Sequence, residues 1–327
     1  MLAYIGRRAI LAVFTVWAIS VLSFAIIQLP PGDYVTSYIA QMASMGSVVT
    51  DEEAQNLRIQ YGLGQPIYVQ YLKWMKQVVG GNFGMSMEWR RPVTEVIGER
   101  LWLTVVVSLA ALLLTWVLAL PIGIYSAVRQ YSLFDYTFTT LSFLGFAMPV
   151  FWLALLLQIV FVDIYLKWHV RIFYTSGLNN IGQGTWSFDR LQHIALPVVT
   201  LCVVSFALYS RYMRASMLDV INSDYVRTAR AKGVAEWRVI TRHVVRNALI
   251  PVVTVAALNL GGLLGGAIVT ETIFTLDGFG YYFIQSLQNS DFYAVMAYLV
   301  VTSVIIILFN LIADIVYGYL DPRIRYD

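Results

Sequence analysis

The sequence has few of the residues on which disulfide-linked, metal-binding and catalytic proteins depend. It holds one cysteine and three histidines, and only 13% of its 327 residues are charged. The single cysteine, Cys202, excludes a disulfide within the chain and argues against a thiolate metal site. The histidines are not at metal-ligand spacing. The glycine pairs at 261–262 and 265–266 are followed by Ala267 rather than lysine, so the phosphate-binding loop of ATPases is missing. We expect no catalytic residue, no metal site and no nucleotide bound by this chain.

What the sequence has instead is apolar surface. Hydrophobic residues make up 59% of the chain, and the mean hydropathy is +0.68. These values lie far outside the range of soluble domains, so lipid is the solvent for most of the chain. The net charge of +3 is too small to indicate a nucleic-acid partner. The composition predicts an all-α polytopic membrane protein.

Six apolar stretches are long enough to cross a bilayer. The third is overlong and is interrupted at Met148 and Pro149, so we expect part of it to tilt or to leave the membrane. Arg7 and Arg8 precede the first stretch, no small-residue cleavage site follows it, and it is therefore interpreted as a retained span. The six stretches are Ala9–Ile27, Leu101–Val128 with a kink at Pro121, Phe134–Leu166, His193–Tyr212, Ala248–Thr270 and Phe292–Tyr319.

The distribution of lysine and arginine places both termini in the cytoplasm. Under that orientation residues 30–100 form an external insertion with helix signals of its own. Thr50 and Glu53 have the spacing of a capping box, and a second helix is expected from Pro66 to Val79. That helix is amphipathic and lies either on the membrane surface or against the bundle. A third short helix is expected from Val93 to Arg100.

The most polar stretch between spans, Asp219–Thr254, contains six basic residues: Arg227, Arg230, Lys232, Arg238, Arg242 and Arg246. One interpretation is a juxtamembrane segment bound to anionic lipid. The pattern of helix caps favours two short helices instead. Asp224 is expected to cap a helix over Tyr225–Lys232 that Gly233 ends. A second helix is expected from Ala235 to Ala248, with Trp237, Ile240 and Val244 on its apolar face, and Pro251 is expected to mark the entry to the fifth span. Such a helical pair is suited to docking in a protein groove.

Ionisable residues close to spans are the other functional candidates. Asp163 and Asp314 fall near span ends, where a position at headgroup level is the simpler interpretation. Glu271 follows a run of small residues and is expected to cap its helix at the external end. It is a candidate external gate or a structural hydrogen-bonding residue, with plain surface exposure as the alternative.

The stretch YVRTARAKGVAEWRVITRHVVRNALIPVV resembles the cytoplasmic EAA loop of ABC importer permeases, in the form carried by dipeptide and oligopeptide permease B subunits. Further segments agree along nearly the whole chain: YIGRRAI, LRIQYGLGQPIYVQYLKWM, GNFGMS, RPV, ERLWLT, ETIF, GFGYY and LDPRIRY. In this sequence the EAA triad reads Arg227-Thr228-Ala229, without the glutamate. The resemblance implies the type I importer permease fold. Its parts would be a first transmembrane helix (1–29), an external insertion (30–100) and a five-helix core (101–327) with a coupling loop at 218–247.

The resemblance also implies partners. A homologous second permease, two ATPase subunits that bind ATP and magnesium, an extracytoplasmic solute-binding protein and membrane lipid would surround this chain in a bacterial or archaeal inner membrane. The implied coupling residues are Asp224, Tyr225, Arg227, Thr228, Ala229, Arg230, Lys232 and Gly233.

Peptides are the commonest cargo of this branch, and oligosaccharides, opines and nickel chelates are alternatives. A non-ABC membrane protein with a lipid-binding basic loop is the alternative from a different class. A proton-driven transporter is disfavoured, because neither inverted repeats nor mid-span acids are visible.

Overall fold

A computed structural model describes residues 2–27, 49–61, 65–86, 88–178 and 188–320, together with 35, 36, 39, 42, 43 and 46. Within these residues the regular structure is helical, apart from one isolated bridge between Met85 and Pro92. This confirms the all-α prediction. In chain order the helices are α1 Leu2–Ile27, α2 Asp51–Tyr61, α3 Ile67–Val79, α4 Val93–Val128, α5 Leu133–Ala147, α6 Val150–Trp168, α7 Phe188–Ile221, α8 Asp224–Ala231, α9 Glu236–Arg238, a π-helical segment Val239–Val245, α10 Arg246–Ile273, α11 Phe279–Gln288 and α12 Phe292–Leu320.

In the described part of the chain, six segments are long and apolar enough to cross a membrane: Gly6–Ile26, Val93–Val128, Val150–Trp168, Phe188–Ile221, Glu236–Asn259 and Phe292–Asp314. They correspond one to one with the predicted spans, with corrections to two boundaries. The predicted short helix over Val93–Arg100 is wrong as a separate element, because α4 continues through it into the span. The predicted third span is two helices, since Pro149 cannot continue α5 and instead precedes the first residue of α6.

The chain divides into two compact units, Met1–Trp102 with Tyr282–Ile307, and Leu103–Tyr281 with Leu308–Asp327. In the first, the capping box is confirmed: the amide of Thr50 donates to Glu53 at 3.1 Å, and the amide of Glu53 donates to the Thr50 hydroxyl at 3.3 Å. Helix α3 packs on α1, where the hydroxyls of Ser20 and Tyr71 lie 2.8 Å apart and Trp74 is buried. The amphipathic helix therefore lies against a span, the second of its two predicted positions.

In the second unit, α7 is the central helix. Its Ser210 carbonyl lies so close to Gly123 of α4 that a Cβ on this glycine would be 2.7 Å from the oxygen. One apolar cluster joins α4 and α7 to α8, the π-helical segment and α10. A second cluster joins α4 and α7 to Ala154 of α6 and to Phe274 after α10. The 218–247 loop, which is the candidate coupling loop, therefore packs on the same core as the spans.

Candidate functional site

The first candidate element, helix α8, has defined ends. Ser223, with φ −70° and ψ 153°, is its N-cap, and Asp224 is its first residue. The predicted cap at Asp224 is therefore wrong by one position, although its carboxylate still lies in the first turn, where the helix dipole favours negative charge. At the other end Gly233 has φ +75°. The amide of Gly233 donates to Arg230 at 2.9 Å and that of Val234 to Ala229 at 3.3 Å, which together form a Schellman motif.

Helix α8 has one inward and one outward face. Val226 is fully buried and Ala229 is 9% exposed. Both belong to the apolar cluster beneath the loop. The remaining candidate coupling residues are exposed: Asp224, Tyr225, Arg227, Thr228, Arg230, Lys232 and Gly233. The small side chain of Ala229 therefore lets α8 pack closely on the apolar cluster beneath it. The exposed residues form the surface that a partner can reach.

Arg230 ties α8 to the next helix. Its Nη2 lies 2.7 Å from Glu236 Oε1, and its Nε lies 3.1 Å from Oε2 of the same carboxylate. Hydrogen bonding to Glu236 raises the pKa of the Arg230 guanidinium above its ordinary value. Both side chains are more than a third exposed, so the pair adds at most about 1 kcal/mol to stability. The pair connects the last turn of α8 with the first residue of α9.

The residues after α9 form a π-helical segment that was not predicted. Val239 and Val244 are both fully buried in the cluster that holds Val226 and Ala229. Residues five apart are separated by about 140° around an α-helix, at about 100° per residue. The i to i+5 hydrogen bonds of a π-helix bring such residues to one face. The segment thus places two valines under α8 where a regular helix would place one.

Two further predictions for this loop are wrong. Trp237 does not lie on the apolar face. It is 65% exposed, and the guanidinium of Arg238 lies 5.3 Å from its ring centre. Pro251 does not mark the entry to a separate span, because it lies inside α10, which follows the π-helical segment without interruption.

The second candidate, Glu271, is fully buried, which excludes the simple surface position. Its carboxylate accepts hydrogen bonds from the Thr104 hydroxyl, from the amide of Gly280 at 2.7 Å and from that of Tyr281 at 3.1 Å. The Thr104 oxygen in turn accepts from the Phe279 amide at 2.8 Å. Glu271 therefore caps the N-terminus of α11. Gly278 has no room for a side chain here, since its Cβ would overlap the Glu271 carboxyl group.

The structure does not bring the two candidates together. Glu236 and Glu271 lie near opposite ends of the run that begins with α9 and ends with α10. At about 1.5 Å per residue, they are about 50 Å apart along the helix axis.

An ion pair at the base of α5 had no signal in the sequence. Arg214 of α7 donates to both carboxylate oxygens of the buried Asp135, at 2.8 and 2.9 Å. The two residues are 79 positions apart, and neither is part of a recognisable motif.

Two family models match the chain. The model of the binding-protein-dependent transport system inner membrane component covers residues 119–326, and the N-terminal model of such membrane components covers residues 1–110. The chain is 40% identical over 327 residues to the oligopeptide transport system permease protein AppB of Bacillus subtilis, covering all of both chains. It is also 36% identical to the dipeptide transport system permease protein DppB of Alkalihalophilus pseudofirmus, and that match covers all of both chains. The identity to DppB of Escherichia coli K12 is again 36%, over all of this chain and 99% of the relative. The chain therefore belongs to the binding-protein-dependent transport system inner membrane component family, in the dipeptide and oligopeptide permease B branch that its sequence resembles.

Proposed function

We propose that this chain is the transmembrane permease subunit of an ATP-driven peptide importer and forms half of the translocation pathway. A homologous second permease supplies the other half. Two ATPase subunits bind ATP and magnesium and carry out hydrolysis, so this chain has no catalytic role. An extracytoplasmic binding protein delivers the peptide, and lipid surrounds the spans. The alternative of a non-ABC membrane protein is set aside because the chain belongs to the permease family.

The observation that carries this proposal is the two-sided construction of α8. A helix that only bound lipid headgroups would need no Schellman motif and no glycine at φ +75°. Here both ends are fixed and the inner face, with Val226 and Ala229, is packed on the spans. The outer face presents Tyr225, Arg227 and Thr228. Such a helix moves with the core beneath it and is suited to a groove in a partner.

The mechanism that follows is a rigid-body one. Closure of the ATPase dimer on ATP displaces the docked α8, and its packed inner face transmits the displacement to α7 and α10. The two permease subunits then rock so that the pathway opens outward, and hydrolysis resets them. Glu271, at the far end of α10, is our candidate external gate, because it joins the end of that helix to the first turn of α11.

Peptides are proposed as cargo because the three relatives above are named for oligopeptide or dipeptide transport. This reasoning favours peptides over oligosaccharides, opines and nickel chelates. The binding protein is expected to select the individual peptide.

The test compares one substitution at two matched positions. Thr228 on α8 and Thr241 in the π-helical segment are both exposed, and each hydroxyl donates to the carbonyl four residues earlier, at 2.9 and 2.8 Å. Thr228→Arg places a bulky charge on the docking face and is expected to lower peptide-stimulated ATP hydrolysis by roughly tenfold or more in proteoliposomes that hold the whole transporter. Thr241→Arg adds the same charge outside that face and is expected to stay within about twofold of the unmodified protein. Unchanged hydrolysis in inserted Thr228→Arg would reject α8 as the coupling element.

A further inference from the structure

The second unit contains a cavity of about 280 Å³ at the end of α6, and no candidate site residue lines it. Its wall combines four phenylalanine and tyrosine rings with one valine, one arginine, one histidine, one threonine and one serine. The lining residues are Phe161, Val162, Tyr165, Arg171, Phe173, Tyr174, Thr175, Ser176 and His193. None of them takes part in the coupling loop or in the Glu271 cluster, so the proposed function does not account for this cavity.

The segment that forms one wall, residues 171–177, is held in place by hydrogen bonds although it is not helical. Gln158 donates from Nε2 to the Thr175 carbonyl at 2.7 Å, and the Tyr174 amide donates to the Gln192 carbonyl at 3.3 Å. The amide of Gly177 donates to the Phe274 carbonyl at 2.9 Å. The cavity is therefore bounded by fixed backbone on this side.

Arg171 supplies the positive charge of the cavity. Its guanidinium carbon lies 4.4 Å from the ring centre of Tyr165 and 5.0 Å from that of Tyr174. Within the described part of the chain it makes no hydrogen bond or ion pair. The two rings hold the guanidinium plane by cation–π contact while its N–H donors remain available. Arginine in this state is suited to the oxygens of a phosphate group.

His193 supplies a complementary acceptor. It is 3% exposed, and its ring stacks on Tyr174 with the centres 4.0 Å apart and the planes within 5°. Nδ1 lies 2.8 Å from the Asp189 carbonyl oxygen, which accepts only, so Nδ1 carries the hydrogen. The Asp189 carboxylate also lies 3.6 Å from this nitrogen, and in the neutral ring Nε2 is the acceptor. The cavity therefore offers donors for an oxyanion and an acceptor for a hydroxyl or ammonium group.

The depth of the cavity indicates where such a ligand comes from. Helix α6 is a candidate span that ends at Trp168, and Phe161 and Tyr165 lie in its last two turns. Trp168 is 74% exposed and Phe188, at the start of α7, is 75% exposed. Exposed aromatic residues at the ends of spans are typical of the headgroup level of a bilayer. A phospholipid phosphate lies at this level, beside a headgroup hydroxyl or ammonium.

We propose that this cavity binds a phospholipid headgroup, with Arg171 donating to its phosphate and His193 accepting from its hydroxyl or ammonium group. The headgroup would hold the end of α6, the 171–177 segment and the start of α7 together at one face of the membrane. The inference goes beyond peptide import and does not depend on the cargo.

The test is native mass spectrometry of the detergent-solubilised full chain titrated with phosphatidylglycerol. Arg171→Gln is expected to weaken lipid retention by roughly tenfold, because a charge-assisted hydrogen bond is lost. Lys167→Gln is the matched control. It removes one positive charge at the same membrane level, but Lys167 pairs with Asp163 at 2.8 Å and does not line the cavity. Its lipid retention is expected to equal that of the unmodified chain.

Two results would overturn the proposal. Equal retention by Arg171→Gln and Lys167→Gln would mean that lipid binds the surface without using the cavity. Displacement of the lipid by millimolar inorganic phosphate would make the ligand a soluble anion. Loss of lipid in Arg171→Gln alone, with no effect of phosphate, supports the headgroup site.

Discussion

Two buried carboxylates in this chain act as helix caps. Asp291 precedes α12, and its Oδ1 accepts from the Ala294 amide at 3.3 Å while Oδ2 accepts from the Ser86 hydroxyl. Glu271 caps α11 from a greater sequence distance, by accepting from the amides of Gly280 and Tyr281. Each acid supplies an acceptor to amides that have no partner inside their own helix, and the positive end of the helix dipole favours its charge. Both carboxylates therefore have a structural role as helix caps.

Replacing Glu271 by alanine is expected to destabilise the protein strongly. The change removes the acceptor of the Thr104 hydroxyl and of two amides in a fully buried place. Each buried donor left without a partner costs about 1–3 kcal/mol. The thermal midpoint of unfolding in detergent is expected to fall by several degrees.

Asp163→Ala is the control for the loss of an acid. Asp163 is half exposed and pairs with Lys167 on the surface of α6. Its removal is therefore expected to change the free energy of unfolding by no more than about 0.5 kcal/mol and to leave the thermal midpoint nearly unchanged. Similar midpoints for the Glu271 and Asp163 variants would show that the buried hydrogen bonds of Glu271 contribute nothing measurable.

Among the helices, α5 depends on a contact that its own sequence does not reveal. It has only 15 residues, and much of its surface is exposed: Leu133, Tyr136, Leu141, Phe143, Leu144 and Phe146. Its fixed points are the ion pair between Asp135 and Arg214 and the 3.1 Å contact between the hydroxyls of Ser142 and Ser210. The same Asp135 carboxylate also accepts from the Tyr131 amide, so one residue fixes the start of α5 and its position on α7.

Breaking this pair from one side is expected to cost more than replacing both partners. Asp135→Leu leaves a partly buried arginine without its carboxylate, and Arg214→Met leaves a buried carboxylate without its cation. Losing one member of a buried pair costs about 3–5 kcal/mol, whereas an apolar replacement of the whole pair is often nearly neutral. The double variant Asp135→Leu with Arg214→Met is expected to unfold at a higher temperature than either single variant. Strictly additive losses in thermal unfolding would contradict this expectation.

Local chemistry was sufficient to predict elements whose cause lies within a few residues. The Thr50 and Glu53 capping box, the break at Pro149 and the end of α8 at Gly233 each depend on neighbours in sequence. The six spans follow equally from the length of their apolar runs. These features need no knowledge of tertiary packing.

The features that sequence reasoning missed depend on residues far apart in the chain. The π-helical segment forms where Val239 and Val244 both pack under α8, and this preference appears only once α8 is in place. Trp237 looked apolar and inward on a regular helical wheel, but the wheel does not apply to a helix of changing period. The burial of Glu271 depends on Thr104, which is 167 residues away.

The chain is a multi-pass inner-membrane protein, and the number of its membrane crossings decides which loops lie on the same side of the membrane. With six crossings, both termini and the 218–247 loop are expected on one face, and the basic residues of that loop predict that this face is cytoplasmic. Helix α5 is the point on which this count depends. With 15 residues it is about 22 Å long, short of the about 30 Å of bilayer hydrocarbon. If α5 does not cross, the loop before it is cytoplasmic and the loop after α6 is external.

Single cysteines at three exposed positions test this topology: Gln130→Cys between α4 and α5, Val170→Cys after α6 and Ala235→Cys after α8. The native Cys202 is 3% exposed and is expected to give only background labelling. A membrane-impermeant maleimide is expected to label position 170 in spheroplasts, and positions 130 and 235 only in inside-out vesicles. Labelling of 130 and 170 from the same side would mean that α5 crosses the bilayer after all. The Arg214–Asp135 pair would then lie near the end of a seventh span, and the two termini would be on opposite faces.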